Sequence, residues 1–494
     1  MDHLSPLPEE LAMTLLDYLV LQPDLIFVSH VSRRWRGLVK AHPAFWRTIQ
    51  LRDPQIIAEI RIPQIERVQA QLLASTCTGL TVDLDLWRTL APDPVPDASQ
   101  LEFLRQQVGA LSVTLTQNMC RVATLKMVVN HEIAGSLESG GVFKADSPLL
   151  ERLDIEICDQ QDELTEDVLF DWKILHCSPQ LSALRLIRVP IISLHELSTH
   201  SMLEEFAWWP YPAIKVPTQL TRLDHFLDQL PRLRSLELLG SPVTVEAGNI
   251  DDVFLRLTRL KYFGLDNSIL RELEITQLKH VPRIRVRNPS ISTVQNLLAH
   301  FCDVTSSSIE PPGLHFDLWP FESTRVAQPM VVSELSSSSR ARVLDFHSYL
   351  WLPHVPAMED LANRVTRLSV PATEWDELIE ALRSAKALTE LVLRVTDDAD
   401  AEMNLHAGRR LASCHQLRSL TLQAAQKAYE RGRLVLTSAS TFCDFVHHAI
   451  DPTAHRKMRL ICDMVQWATS IPEGSPSPSE LLESYFISVE EITE

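Results

Sequence analysis

The chain has 494 residues, with 64 acidic against 46 basic side chains and a formal net charge of −18. That length accommodates roughly three ordinary domains or one elongated repeat array, and so acidic a surface argues against nucleic acid or anionic lipid as a partner. Hydrophobic residues at 45% and charged residues at 22% fit a soluble folded protein, and no apolar run reaches the ~18 to 20 residues of a membrane helix.

Thirty prolines against thirteen glycines predict many short elements joined by rigid corners. The opening MDHLSPLPEE is acidic and broken by prolines, unlike a secretory or transit peptide. The eight cysteines, at 77, 120, 158, 177, 302, 414, 443 and 462, include no C-x-x-C pair, as expected of free thiols in a reducing compartment. The expected location is the cytoplasm, the nucleus or both.

The first fifty residues read as three short helices. Ser5 is placed to cap the first, with Glu9 and Glu10 in its first turn and Leu11, Leu15, Leu16 and Leu19 along one face. Pro23 breaks that pattern, and Asp24 is placed to cap a second helix whose face carries Leu25, Val28, Ser32 and Trp35, broadened by Phe27 and Val31. A third helix is expected through Gly37 to Lys40, with Phe45 and Trp46 closing the module. So small a unit cannot enclose all of these apolar side chains, so some must face a partner or the following domain. Residues 1–53 carry six acidic and six basic side chains, so Arg33, Arg34 and Arg36 read as the wet face of an amphipathic helix rather than a nucleic-acid site.

These residues resemble an F-box: Leu7, Pro8, Glu10, Leu11, Leu15, Leu19, Asp24, Leu25, Val28, Val31, Arg34, Trp35, Pro43 and Trp46 follow its loose pattern. Ser32 stands where that pattern often has cysteine, and Phe45 where it often has leucine. The resemblance implies docking onto the Skp-type adaptor of a cullin–RING ubiquitin ligase. Carried over as adaptor-binding positions are Pro8, Leu11, Leu15, Leu16, Leu19, Leu25, Val28, Val31 and Trp35.

From Trp46 onward an L-x-x-L-x-L pattern recurs. Its clear copies hold Leu150, Leu153 and Ile155; Leu181, Leu184 and Leu186; Leu233, Leu236 and Leu238; Leu388, Leu391 and Leu393; and Leu417, Leu420 and Leu422. Weaker copies begin near Trp46, Cys77, Val122, Leu203, Leu260, Val281, Pro311, Ala341 and Val365, and from 122 the steps run from 21 to 31 residues. That spacing resembles leucine-rich repeats. The resemblance implies an α/β fold in which the F-box is followed by an irregular leucine-rich-repeat solenoid, with parallel strands on the concave side and helices outside. The expected domains are an F-box over 1–50, a degenerate repeat solenoid over 51–470 and a flexible acidic tail over 471–494. The tail holds Ser475, Ser477 and Ser479 as candidate phosphorylation sites, and its Leu481, Leu482, Tyr485 and Phe486 could dock back onto the last repeat. Surface loops are expected at 91–100, 133–141 and 333–342.

No nucleotide-binding, hydrolase or metalloprotease motif is present. His447, His448 and His455 lack further ligands at metal-site spacing and read as surface histidines. No catalytic residue, metal or cofactor is expected. F-box proteins with worn repeats, numerous in mushroom-forming fungi, are the set this chain resembles, which implies a non-enzymatic substrate receptor of a Skp–cullin–F-box ligase. Trp208 and Trp209 are the candidate substrate-binding residues, on opposite faces if they lie on a strand. The alternatives are an F-box scaffold working without a cullin and a repeat protein with an unrecognised enzymatic site. The protein substrate is left unnamed by the sequence.

Overall fold

The computed structural model describes residues 7–19, 22–51, 58–86, 98–158, 173–189, 202–209, 221–239, 243–244, 256–257, 259–266, 278, 281–302, 314–318, 328–334, 341–346, 355, 357–382, 385–396, 403, 411, 414–425, 434–450, 458–468 and 477–492. The chain divides into two compact units, Met1–Asn249 and Ile250–Glu494. Both are mixed α/β.

The first unit opens with four helices: α1 (Glu9–Asp17), α2 (Gln22–Val31), α3 (Arg33–Ala41) and α4 (Pro43–Arg47). There follow β1 (Thr48–Leu51), α5 (Ala58–Ala74), β2 (Leu80–Asp85), α6 (Ala98–Asn118), β3 (Val122–Val129), α7 (His131–Ser139), β4 (Arg152–Ile157), α8 (Lys173–His176), β5 (Ala183–Ile187) and β6 (Glu205–Trp209). The short strand β7 (Thr221–Arg222), α9 (Leu223–Gln229), β8 (Ser235–Leu238) and β9 (Val243–Thr244) complete it.

Strands β1, β2, β3, β4, β5, β6 and β8 lie side by side in chain order, every pair parallel. The register stacks the L-x-L positions across the sheet. Leu125, Leu153, Leu184, Phe206 and Leu236 form one buried row, and Met127, Ile155, Leu186, Trp208 and Leu238 the next. The L-x-L side chains of each strand point to one face, so one strand alone leaves that apolar face in water. Stacking it between neighbours removes that surface from water, at ~1.5 to 3 kcal/mol for a fully buried Leu, Ile or Phe.

Two segments differ from expectation. Residues 133–141, read as a loop from their glycine and serine content, belong largely to α7. Asn130 caps it by accepting from the Ile133 N–H at 2.9 Å, and Ile133, Ala134 and Leu137 bury one helical face. The close approach of Gly140 to Ser112, where a Cβ would stand 1.8 Å from Oγ, and the φ of 85° at Gly141 explain those two glycines. Of the loop expected at 91–100, residues 91–97 lie outside the described residues, and Ala98 already starts α6.

The second unit contains β10 (Tyr262–Asp266), β11 (Arg283–Arg287), α10 (Ile291–Cys302), β12 (Leu314–Leu318), β13 (Gln328–Glu334), β14 (Ala341–Phe346), α11 (Ala357–Ala362), β15 (Val365–Pro371), α12 (Trp375–Ala381), β16 (Glu390–Val395) and β17 (Ser419–Ala424). It ends with β18 (Val435–Thr437), α13 (Ala439–Ala449), β19 (Arg459–Asp463), β20 (Val465–Trp467), α14 (Pro478–Tyr485) and β21 (Ser488–Ile492). The sheet order is β10-β11-β14-β13-β12-β15-β16-β17-β19-β21. All pairs are parallel except those of β13, which is antiparallel to both its neighbours.

That reversal corrects the expectation of uniform parallel repeats. Met330 and Val332 are buried and supply the period-two face of β13, without any L-x-L signature. The loop expected at 333–342 is also shortened, because β13 runs to Glu334 and β14 begins at Ala341.

The flexible tail expected over 471–494 is likewise corrected for residues 477–492. Ser477 accepts from the Glu480 N–H at 3.3 Å while the Glu480 carboxylate accepts from the Ser477 N–H at 2.9 Å, a reciprocal cap on α14. Leu482 and Phe486 are buried, and Phe486 stacks on Phe442 of α13 at 6.0 Å. Strand β21 then pairs with β19.

Candidate functional site

The N-terminal helices enclose a small core of Ala12, Leu16, Leu25, Trp35, Leu38 and Val39, with Met13, Leu19, Val28 and Phe45 half-buried against it. Pro8 is the residue before α1 and offers no side-chain cap; Ser5 lies outside the described residues. Glu9 and Glu10 sit in the first turn, where the helix dipole favours anions. Helix α2 starts at Gln22, so Asp24 is inside it and not its cap.

Ser32 and Trp35 do not extend α2. Ser32 is extended, with φ −157°, and caps α3 by accepting from the Trp35 N–H at 3.3 Å. The expected third helix is therefore longer, beginning at Arg33 and carrying Trp35 into the core.

Polar bonds fix the angles between these helices. Asp17 of α1 lies 3.0 Å from the buried His42, which precedes α4. The Arg34 guanidinium donates to the Leu7 carbonyl, and Arg36 Nε to that of Ser29 at 3.3 Å. Two of the three arginines that make this stretch look basic, Arg34 and Arg36, thus tie α3 to the segments before it. Trp46, half-buried, meets Phe45 edge-to-face at 5.0 Å and donates to the Lys40 carbonyl at 2.6 Å. Its own carbonyl accepts from Ser75 Oγ at 3.4 Å, and Cys77 Sγ reaches the Pro43 carbonyl at 3.7 Å. The helical module is therefore seated on the first strands of the sheet.

The nine expected adaptor-binding residues separate into three groups. Pro8, Leu11, Leu15 and Val31 are exposed; Leu19 and Val28 are half-buried; Leu16, Leu25 and Trp35 are at most 3% exposed. Those last three are corrected to core residues, because a module this small spends its largest apolar groups on its own interior. In return the surface shows two side chains outside the expected set, Tyr18 at 78% and Phe27 at 72% exposed. Leu11 and Leu15 of α1 and Tyr18, its C-cap, follow i, i+4, i+7, and Phe27 and Val31 follow i, i+4 on α2. Helical spacing could have found Tyr18.

The two candidate substrate-binding tryptophans also part. Trp208 is 1% exposed and its indole N–H donates to the Val189 carbonyl at 3.1 Å, so it is a core residue. Trp209 faces the other side of β6, half-buried, with the Arg185 guanidinium 5.8 Å from its ring centroid. Arg185 also meets Asp154 at 3.4 Å, and Arg152 meets Glu205 at 3.2 Å. This face carries Asp83, Lys126, Asp154, Arg185, Ala207 and Glu237 in one row across six strands.

His447 and His448 sit in the last turn of α13, rings edge-to-face at 5.2 Å; His455 lies outside the described residues. Among the described residues no group of three or more His, Cys, Asp or Glu is placed to hold a metal ion. No helix among them is long and apolar enough to cross a membrane.

The N-terminal residues thus form a closed helical core with two apolar stripes left in water, seated on a parallel sheet. Residues 4–52 match the F-box-like family model, and the chain carries an F-box-like domain there. No curated protein matches the chain.

Proposed function

We propose that this chain is the substrate-recognition subunit of a Skp–cullin–F-box ubiquitin ligase. The exposed stripes Leu11, Leu15 and the C-cap Tyr18 of α1 and Phe27 and Val31 on α2, with Pro8, hold the Skp-type adaptor. The polar face of the sheet, around Trp209 and Arg185, receives the protein substrate. On this reading the sheets are worn leucine-rich repeats, supported by the L-x-L rows and the recurring strand–helix order, with β12–β13–β14 as a departure. The chain supplies position while ubiquitin transfer belongs to the bound conjugating enzyme, in the cytoplasm or nucleus.

The observation that carries the reading is the pairing of a filled core with exposed apolar stripes inside the residues that match an F-box. Large apolar side chains left in water at helical spacing are what a helix-docking partner covers. The test is co-purification of the full chain with a Skp-type adaptor, comparing wild type with Leu15→Asp and Val31→Asp. Both positions are exposed, so the fold is expected to stay intact, verified by circular dichroism. Each substitution places a charge where a buried anchor belongs and is expected to weaken binding on the order of 30-fold. Unchanged binding in both variants, or none by folded wild type, overturns the adaptor assignment. Adaptor capture without cullin marks a scaffold instead.

A further inference from the structure

We propose that the outer edge of β21 is a docking site for an extended, basic segment of a partner protein, taken up as an additional strand. The site lies in the second unit and does not depend on the adaptor reading. Strand β21 pairs with β19 on one side and has no other partner strand among the described residues. Met464 N–H donates to the Ile492 carbonyl at 2.9 Å, which turns the backbone groups of Ile492 toward β19. Because peptide groups alternate along a strand, the N–H and C=O groups of Val489 and Glu491 point away from β19, toward the free edge. Ser488, Glu490, Glu491 and Ile492 are all exposed, and no strand among the described residues covers that edge.

Folded proteins ordinarily blunt such an edge with short length, charged side chains (lysine above all), proline or a bulge. Here the charges are two glutamates, which repel acidic strands and admit basic ones. The sequence SVEEI contains neither lysine nor proline, and its register with β19 runs from Ser488 to Ile492 without a shift. The edge is also anchored: the capped helix α14 precedes it, and Phe486 is fixed on Phe442. It is therefore a ready template at little ordering cost.

Charge selects the occupant. Glu490 and Glu491 project on opposite faces, and Asp463 of β19 stands in register at the same end; Arg459, the one basic side chain of β19, stands at the other end, beside Ser488. A second copy pairing antiparallel at this edge would set carboxylates against carboxylates, whereas lysine or arginine on an incoming strand pairs favourably with both. Backbone bonds supply the binding and the two glutamates the preference, which is the division of labour in strand addition.

The test is fluorescence anisotropy of the full chain at 0.15 M salt, where long-range attraction to an acidic protein is screened. The probes are a labelled peptide of alternating lysine and valine, its glutamate–valine counterpart, and the lysine peptide methylated on alternate backbone nitrogens. The lysine peptide is expected to bind, and the other two are not. The double variant Glu490→Lys/Glu491→Lys is expected to weaken binding about tenfold. Glu491→Pro, which removes an outward N–H that β19 does not use, is expected to abolish it, while Glu491→Gln retains most of it. Equal binding of the methylated peptide shows simple charge attraction and overturns the proposal, as does no binding of the lysine peptide. A concentration-dependent dimer of wild type that Glu491→Pro abolishes overturns it in favour of a second copy.

Discussion

Single side chains in this protein carry roles that their type alone does not announce. Ser32 occupies the place of a frequent cysteine in the motif, and its hydroxyl caps α3, accepting from the Trp35 N–H. Ser32→Ala removes that acceptor and is expected to cost ~1 kcal/mol, read as an earlier loss of helicity in a urea titration. An unchanged midpoint would mean the hydroxyl does not cap in solution. Trp208 and Trp209 are adjacent yet experience opposite environments, because a strand turns alternate residues to opposite faces. Trp208→Ala leaves a large cavity and an unmet Val189 carbonyl, at ~3 to 5 kcal/mol. Trp209→Ala removes a half-exposed ring beside Arg185 and is expected to cost far less while altering the proposed substrate face. Equal losses for the two would contradict the assigned faces.

At the level of elements, hydrophobic spacing identified strands well and ends poorly. The L-x-L copies at Leu153, Leu184, Leu236, Leu391 and Leu420 all lie on strands, because period-two burial is a local property of the chain. Strand β13 escaped because it holds no L-x-x-L-x-L copy: only Met330 and Val332 form its buried face, between the sequence-adjacent strands β12 and β14. Helix α7 escaped because its glycines and serines suggest a loop until Ser112 is seen against Gly140. Helix α14 escaped because a Ser-Pro stretch signals a linker as readily as a helix start. Its cap is the discriminating feature: Ser477, then proline at the first helical position, then Glu480, whose carboxyl is held below the ordinary carboxylate range by the Ser477 backbone and hydroxyl. Ser477→Ala is expected to raise hydrogen exchange across Pro478–Ile492 several-fold while leaving β16 and β17 unchanged. Uniform exchange across all of these would show that the cap does not hold the end of the sheet.

Across the whole molecule, one chemical feature recurs in both units. Cys158 in the first and Cys443 and Cys462 in the second are thiols that burial, the largest cause, pushes up to about 12; nearby Glu156, Asp444 and Glu491 add to the effect. A raised folded pKa keeps the proton on the folded chain at a pH where the unfolded chain has released it. The stabilisation these thiols confer is therefore fully present below the unfolded value of 9.0 and is lost as pH rises toward about 12. Within that window each thiol lowers stability by up to about 1.4 kcal/mol per pH unit. Urea midpoints measured between neutral and alkaline pH are expected to fall along this limb, and Cys462→Ala is expected to make the fall shallower even where it lowers the neutral midpoint. A parallel slope in that variant would show that the Cys462 thiol already ionises in the folded state. The same burial predicts native-state alkylation at the exposed Cys120 and protection of Cys443 and Cys462 until the chain unfolds, with the half-buried Cys158 reacting at an intermediate rate.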